Sequence, residues 1–138
     1  MIMRLALPLA LREQLSVEAR SAFPHECCGL IEGIREGEVA RALKLHPTAN
    51  LSERPDSFKI DPAAHLRFNR EARAAGREII GCYHSHPRGR PAPSARDRME
   101  EGSDSFLWLI AALKDGTAAP DFAAFVGADF RPLSLVDA

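Results

Sequence analysis

Hydrophobic positions change period several times along the chain, and each change marks an element. Met3 to Leu7 has the apolar content of a short first strand. Leu11, Leu15 and Ala19 then recur at helical spacing, which predicts a helix from Pro8, a residue suited to a first turn, to about Ala22. Phe23-Pro24 ends it. A buried strand is predicted from near Glu26 to Gly33, a turn over Arg35 to Glu38, and a hairpin partner over Val39 to Leu45. His46 to Ser57 carries Pro47, Asn50, Ser52, Pro55 and Asp56, a composition that favours a long loop. Phe58 to Ile60 reads as a short strand. Asp61-Pro62 supplies an N-cap and a proline at the first helical position, opening a helix that runs to about Ala75 and closes at Gly76.

Glu78 to His84 is the next strand, central by its apolar content. A helix is predicted to begin at Ser94, with a break at Gly102 to Asp104. Phe106 to Leu113 reads as a fully buried strand, and Phe122 to Val126 and Leu133 to Val136 as two more. The sum is an α/β chain with helices packed on a sheet whose strand order the pattern leaves open. With 138 residues, 46% of them hydrophobic, one domain spanning residues 1–138 is expected.

Composition narrows the setting. A formal net charge of −1 gives no sign of a nucleic-acid or anionic-membrane surface, although Arg67, Arg70, Arg73 and Arg77 put a basic side on one helix, expected to be a solvated face. Cys27, Cys28 and Cys82 are odd in number and two are adjacent, unlike a secreted disulfide framework, so a reducing cytoplasm is expected. The apolar N-terminus is short, contains Pro8 and lacks a small-residue cleavage site. No apolar run approaches the length of a membrane span.

The chemistry concentrates between Gly81 and Asp97. His84 and His86 lie two apart after Ile79-Ile80, and on a strand that spacing points both imidazoles to one face, where one cation can take both. The predicted helix start, with Ser94 as N-cap and Asp97 in the first turn, could bring Asp97 back as a third ligand. Two imidazoles and a carboxylate suit a zinc ion that keeps its fourth position for water, the layout of a hydrolytic site. Such a site also needs a proton carrier and an oxyanion donor. Glu26 and Ser94 are the candidates, though spacing alone assigns neither. Cys82 shares the histidines' face and could compete as a thiolate, but a small core residue is the expected reading. His25, His46 and His65 are expected at the surface or in loops, and Trp108 in the core.

Glu26 far upstream of His84-x-His86, followed after seven residues by Ser94-x-x-Asp97, resembles the signature of the JAMM (MPN-plus, Mov34/PAD-1) metalloproteases. The segment Pro24 to Gly33 is similar to the surroundings of the catalytic glutamate in bacterial members, and Phe58 to Pro62 to the middle of small bacterial members. The resemblance implies a mixed sheet sandwiched by helices, similar to cytidine deaminases. It implies one Zn²⁺ with a bound water held by His84, His86 and Asp97, Glu26 as general base and acid, and Ser94 steadying the tetrahedral intermediate. It further implies hydrolysis of an amide bond at the C-terminal tail of a small ubiquitin-like or sulfur-carrier protein. Only eight residues separate Asp97 from Phe106, too few for the insertion of linkage-specific deubiquitinases. Two other readings stay open: a non-catalytic MPN scaffold, and a hydrolase of the same fold acting on phage-tail or cell-wall peptides. The deaminase pattern His-x-Glu with Pro-Cys-x-x-Cys is absent. Oligomeric state is not legible.

Overall fold

The computed structural model describes residues 1–94, 105–115 and 119–137. In chain order the elements are β1 (Arg4–Ala6), α1 (Leu9–Ala22), β2 (Cys28–Glu36), β3 (Val39–Thr48), α2 (Pro62–Ala74), β4 (Glu78–His86), β5 (Leu107–Ala112), β6 (Asp121–Val126) and β7 (Arg131–Val136). The strands form one mixed sheet in the order β1-β3-β2-β4-β5-β6-β7, closed by parallel pairing of β1 with β7. Neighbours β2 and β4 run antiparallel, and β4 and β5 parallel.

Closure divides the core. All seven strands contribute to an inner cluster that includes Leu5, Ile31, Ala40, Tyr83, Leu109, Ala124 and Leu133, and α1 adds Leu15. The outer cluster lies under α2 and joins Cys28, Leu30, Phe58, Ala72, Ile79, Cys82, Trp108 and Phe130. The expected mixed sheet with helices is present. One described helix packs against each cluster, and the sheet closes on itself.

A one-residue bulge sets which face each β4 side chain takes. Ile31 pairs with Gly81 and Glu32 with Ile79, so Ile80 is the extra residue. Strand parity resets there, because an inserted residue shifts the alternation by one. Ile80 and Tyr83 enter the inner cluster, while Ile79 and Cys82 face α2. Tyr83 ties this strand to α1 by donating its hydroxyl hydrogen to Glu18 Oε1 at 2.7 Å. Burial pushes the carboxyl of Glu18 upward, partly opposed by its bonds to Tyr83 and Gln14.

Several expected boundaries moved. β2 starts at Cys28 rather than near Glu26, and β3 extends to Thr48. Phe58 to Ile60 is not a strand: the Leu51 N–H donates to the Lys59 carbonyl at 2.9 Å, closing the loop on itself instead of joining the sheet. α2 begins as expected, with the Asp61 carboxylate accepting from Ala63 N–H. The helix predicted from Ser94 lies, beyond Ser94, outside the described residues. Arg77 is no solvated face residue, since it follows α2 and pairs with Glu32 at 3.2 Å. His46 sits on β3, stacked on Phe68 and 2.8 Å from Glu32, rather than in a loop. Among the described residues no helix is long and apolar enough to cross a membrane.

Two stability predictions follow from this packing. A Cβ on Gly81 would fall 2.3 Å from the Leu107 carbonyl oxygen of the neighbouring strand, so Gly81→Ala should cost about 1–3 kcal/mol, read as a lower urea midpoint. Burial raises the carboxyl pKa of Glu32, but hydrogen bonds from His46 and Arg77 outweigh it and leave the group below its ordinary range. A depressed folded-state pKa contributes stability above the unfolded value, about 4.3, and loses it as pH falls through the folded value. The stability gap between the native chain and Glu32→Gln should therefore be widest above about pH 5 and narrow progressively at lower pH.

Candidate functional site

β4 delivers both histidines while still a strand, since it extends to His86 rather than stopping at His84. Their rings tilt at 59°, and the two Nε2 atoms approach to 3.1 Å. His84 is fully buried and His86 is 7% exposed, so they converge in a poorly solvated pocket. Phe58 stacks on the His84 ring at 4.3 Å and 17°, and the Trp108 ring stands edge-on to it. His86 Nδ1 lies 2.9 Å from the Arg90 carbonyl, which can only accept. Nδ1–H is therefore the donor in this bond, which leaves Nε2 as the nitrogen turned toward His84.

The pairing of β2 with β4 then brings in Glu26. Cys28 lies opposite His84 at the end of the antiparallel register, and Glu26 precedes it by two residues. Just beyond the ladder, Ser85 N–H donates to the Cys27 carbonyl at 3.1 Å, and Cys27 N–H donates to the Ser85 side-chain Oγ at 2.9 Å, which holds this end of the chain beside the histidine end of β4. Glu26 is 5% exposed. It lines a cleft of about 790 Å³ together with Ser94, His25, Asp56, Arg88 and three rigid wall residues, Pro24, Pro55 and Pro87.

Four of the five residues singled out in the sequence are thus described: His84 and His86 converge, and Glu26 and Ser94 line one cleft. Asp97 lies outside the described residues. Among the described residues no group of three or more His, Cys, Asp or Glu side chains forms a metal site. The histidine pair itself suits a shared cation. Two nitrogens held by one zinc at about 2.0–2.1 Å are separated by roughly 3.3 Å in a tetrahedral site, close to the spacing seen, and a carbonyl behind one ring is the usual orienting partner.

Burial pushes the Cys27 thiol up to about 12, and burial likewise raises Cys28, whose Sγ lies 3.5 Å from Thr48 Oγ1. Cys82 is a core residue, 4% exposed, as expected. His25 is exposed in the connection between α1 and β2, as expected, and contributes to the cleft wall. Sequence reading missed Ser85, Asn50 and Phe58. Ser85 stands between the two histidines and alternates to the opposite face, a signal that strand periodicity does contain. Phe58 had none, because its partner is 26 positions away.

Comparison with known proteins gives a consistent picture. The family described as prokaryotic homologs of the JAB domain matches residues 8–125. The chain is 29% identical over 137 residues to the desampylase of Haloferax volcanii, covering 96% of this chain and 95% of that protein. It is 32% identical over 97 residues to a probable TtuB-protein conjugate cleaving protease of Thermus thermophilus, covering 70% and 62% of the two chains. Among solved structures, protein DSY2949 of Desulfitobacterium hafniense superposes with a TM-score of 0.82 at 30% identity, covering all of this chain and 93% of that one. The JAB1/MPN domain protein AF2198 of Archaeoglobus fulgidus gives a TM-score of 0.54 at 17% identity over 99% and 98% of the two chains, a likeness of fold.

Ser85→Ala should leave the half-buried Cys27 N–H without its acceptor. The expected cost is about 1–3 kcal/mol, measured by chemical denaturation, with local loss of amide-exchange protection at Cys27.

Proposed function

Because the chain belongs to the family of prokaryotic JAB-domain homologs, we propose that it is a zinc-dependent peptidase. Its substrate would be an amide bond at the C-terminal tail of a small ubiquitin-like or sulfur-carrier protein. The observation that supports this reading is that Glu26, two residues before the Cys28–His84 pair, lines a cleft that Ser94 also lines, beside the end of β4 that carries His84 and His86. The similarity to a desampylase and to a probable TtuB-protein conjugate cleaving protease supports the substrate class.

His84, His86 and Asp97 would hold the zinc. When bound, the ion supplies Lewis acidity and lowers the pKa of water toward neutrality. The chain's own groups carry the rest. Glu26, nearly buried, takes a proton from the attacking water and returns it to the leaving amine. Ser94 donates its hydroxyl hydrogen to the oxygen on which negative charge develops, an interaction strongest in the transition state. The Arg90 carbonyl keeps the proton of His86 on Nδ1, so Nε2 remains a lone-pair donor. The proline-walled cleft excludes bulk and admits an extended chain of small residues such as a Gly-Gly tail.

The test uses a carrier-type protein bearing a peptide after a C-terminal Gly-Gly. Purified protein should contain close to one zinc per chain and release the peptide. A chelator should stop the reaction and added zinc restore it. Glu26→Gln should lower kcat by about 10²–10⁴-fold while keeping the metal. Combined His84→Ala and His86→Ala should abolish zinc uptake. Cleavage by Glu26→Gln at the native rate would refute the mechanism, and folded protein with no affinity for zinc would favour a scaffold.

A further inference from the structure

The loop between β3 and α2 is organised by one side chain that the mechanism above does not use. Asn50 spends all four of its hydrogen-bonding positions. Its Nδ2 donates to the Glu26 carbonyl at 3.1 Å and to the Ser57 carbonyl at 3.0 Å. Its Oδ1 accepts from Ser52 N–H at 2.9 Å and Lys59 N–H at 3.0 Å. Two carbonyls on one side and two N–H groups on the other leave a single orientation for the amide.

The partners are what give this arrangement meaning. Glu26 holds the carboxylate proposed as general base. Ser57 immediately precedes Phe58, whose ring stacks on His84. Between Ser52 and Ser57, whose hydroxyls also meet, the same loop supplies Pro55 and Asp56 to the cleft wall. Glu26 precedes β2, and the Asn50 amide holds its carbonyl at the entrance to the strand. One amide therefore links the base, the ring behind a histidine and one wall of the cleft.

We propose that Asn50 is a positioning residue for turnover: it locks the Glu26 backbone and the Phe58 loop into one unit, so that base and histidine keep their relative places. The inference rests on the reading of Glu26 as the base. Asn50 touches neither substrate nor reacting atoms, and it acts through the two segments it joins. A displacement of about 1 Å in a catalytic group can cost on the order of 100-fold in rate, so the effect belongs in kcat rather than in KM.

Asn50→Asp is the discriminating variant. It is nearly isosteric and keeps the acceptor that holds Ser52 and Lys59, but it replaces both donated bonds with an oxygen facing two carbonyls. With the carrier-peptide substrate, kcat should fall about 10- to 100-fold while KM stays within about threefold. Zinc content and the circular dichroism spectrum should match the native protein. Ser52→Ala, which loosens the same loop without touching the bond to Glu26, should keep kcat within about threefold of the native value. The proposal is overturned if Asn50→Asp turns over at the native rate, or if its loss is no more than the fraction of unfolded protein accounts for. It is equally overturned if Ser52→Ala loses as much kcat as Asn50→Asp, because loop integrity rather than the Asn50–Glu26 bond would then govern the rate. Failure of the underlying mechanism reads differently, as native activity in Glu26→Gln.

Discussion

The antiparallel pairing of β2 with β4 is the constraint on which the site depends. Cys28 opposite His84, with Cys27 and Ser85 hydrogen-bonded just beyond it, brings Glu26 to the end of β4 that carries the histidines. A slip of one residue would turn every side chain on one strand to the opposite face, separating the carboxylate from the imidazoles. The bulge at Ile80 protects this phase. It lets the lower half of β4 send Ile80 inward and Ile79 outward, while the upper half still presents Cys82 to the outer cluster and His84 to its Phe58 and Trp108 rings.

Around that pairing the protein is built to keep the histidines dry and still. Phe58 and Trp108 flank His84, and Arg90 pins His86 from behind. Electrostatic interactions strengthen where water is excluded, so polar groups that meet the buried histidines would interact with them more strongly than in solvent. Burial also raises the thiols of Cys27 and Cys28.

Chain closure explains how a short polypeptide supports such a site. Pairing β1 with β7 lets seven strands share one inner cluster, which leaves the outer face of β2, β4 and β5 available for chemistry. α2 and the loop from Ala49 to Ile60 cover that face, and the loop is held by side-chain hydrogen bonds rather than by sheet pairing. It can therefore present Pro55 and Asp56 to a cleft while its base stays fixed through Asn50.

Local pattern alone was enough for most elements. The helical spacing of Leu11, Leu15 and Ala19, the Asp61-Pro62 start, and the apolar run at Phe106 to Leu113 are each resolved within a few residues, because propensity, capping and periodicity act over a turn or a strand. The same holds for the two histidines sharing a face, which follows from strand geometry. What remained hidden was everything set by non-local pairing. Phe58 to Ile60 reads as a strand by composition, yet it closes a loop and gives its ring to His84. Arg77 and His46 read as surface groups, yet both serve Glu32. Closure of the sheet, the bulge at Ile80 and the meeting of Glu26 with the cleft arise from register between distant strands, which no single segment encodes. Sequence determined which residues could perform the chemistry; tertiary structure decided that the entrance of β2, where Glu26 lies, would meet the histidine end of β4, because distant segments are brought together only when strands pair.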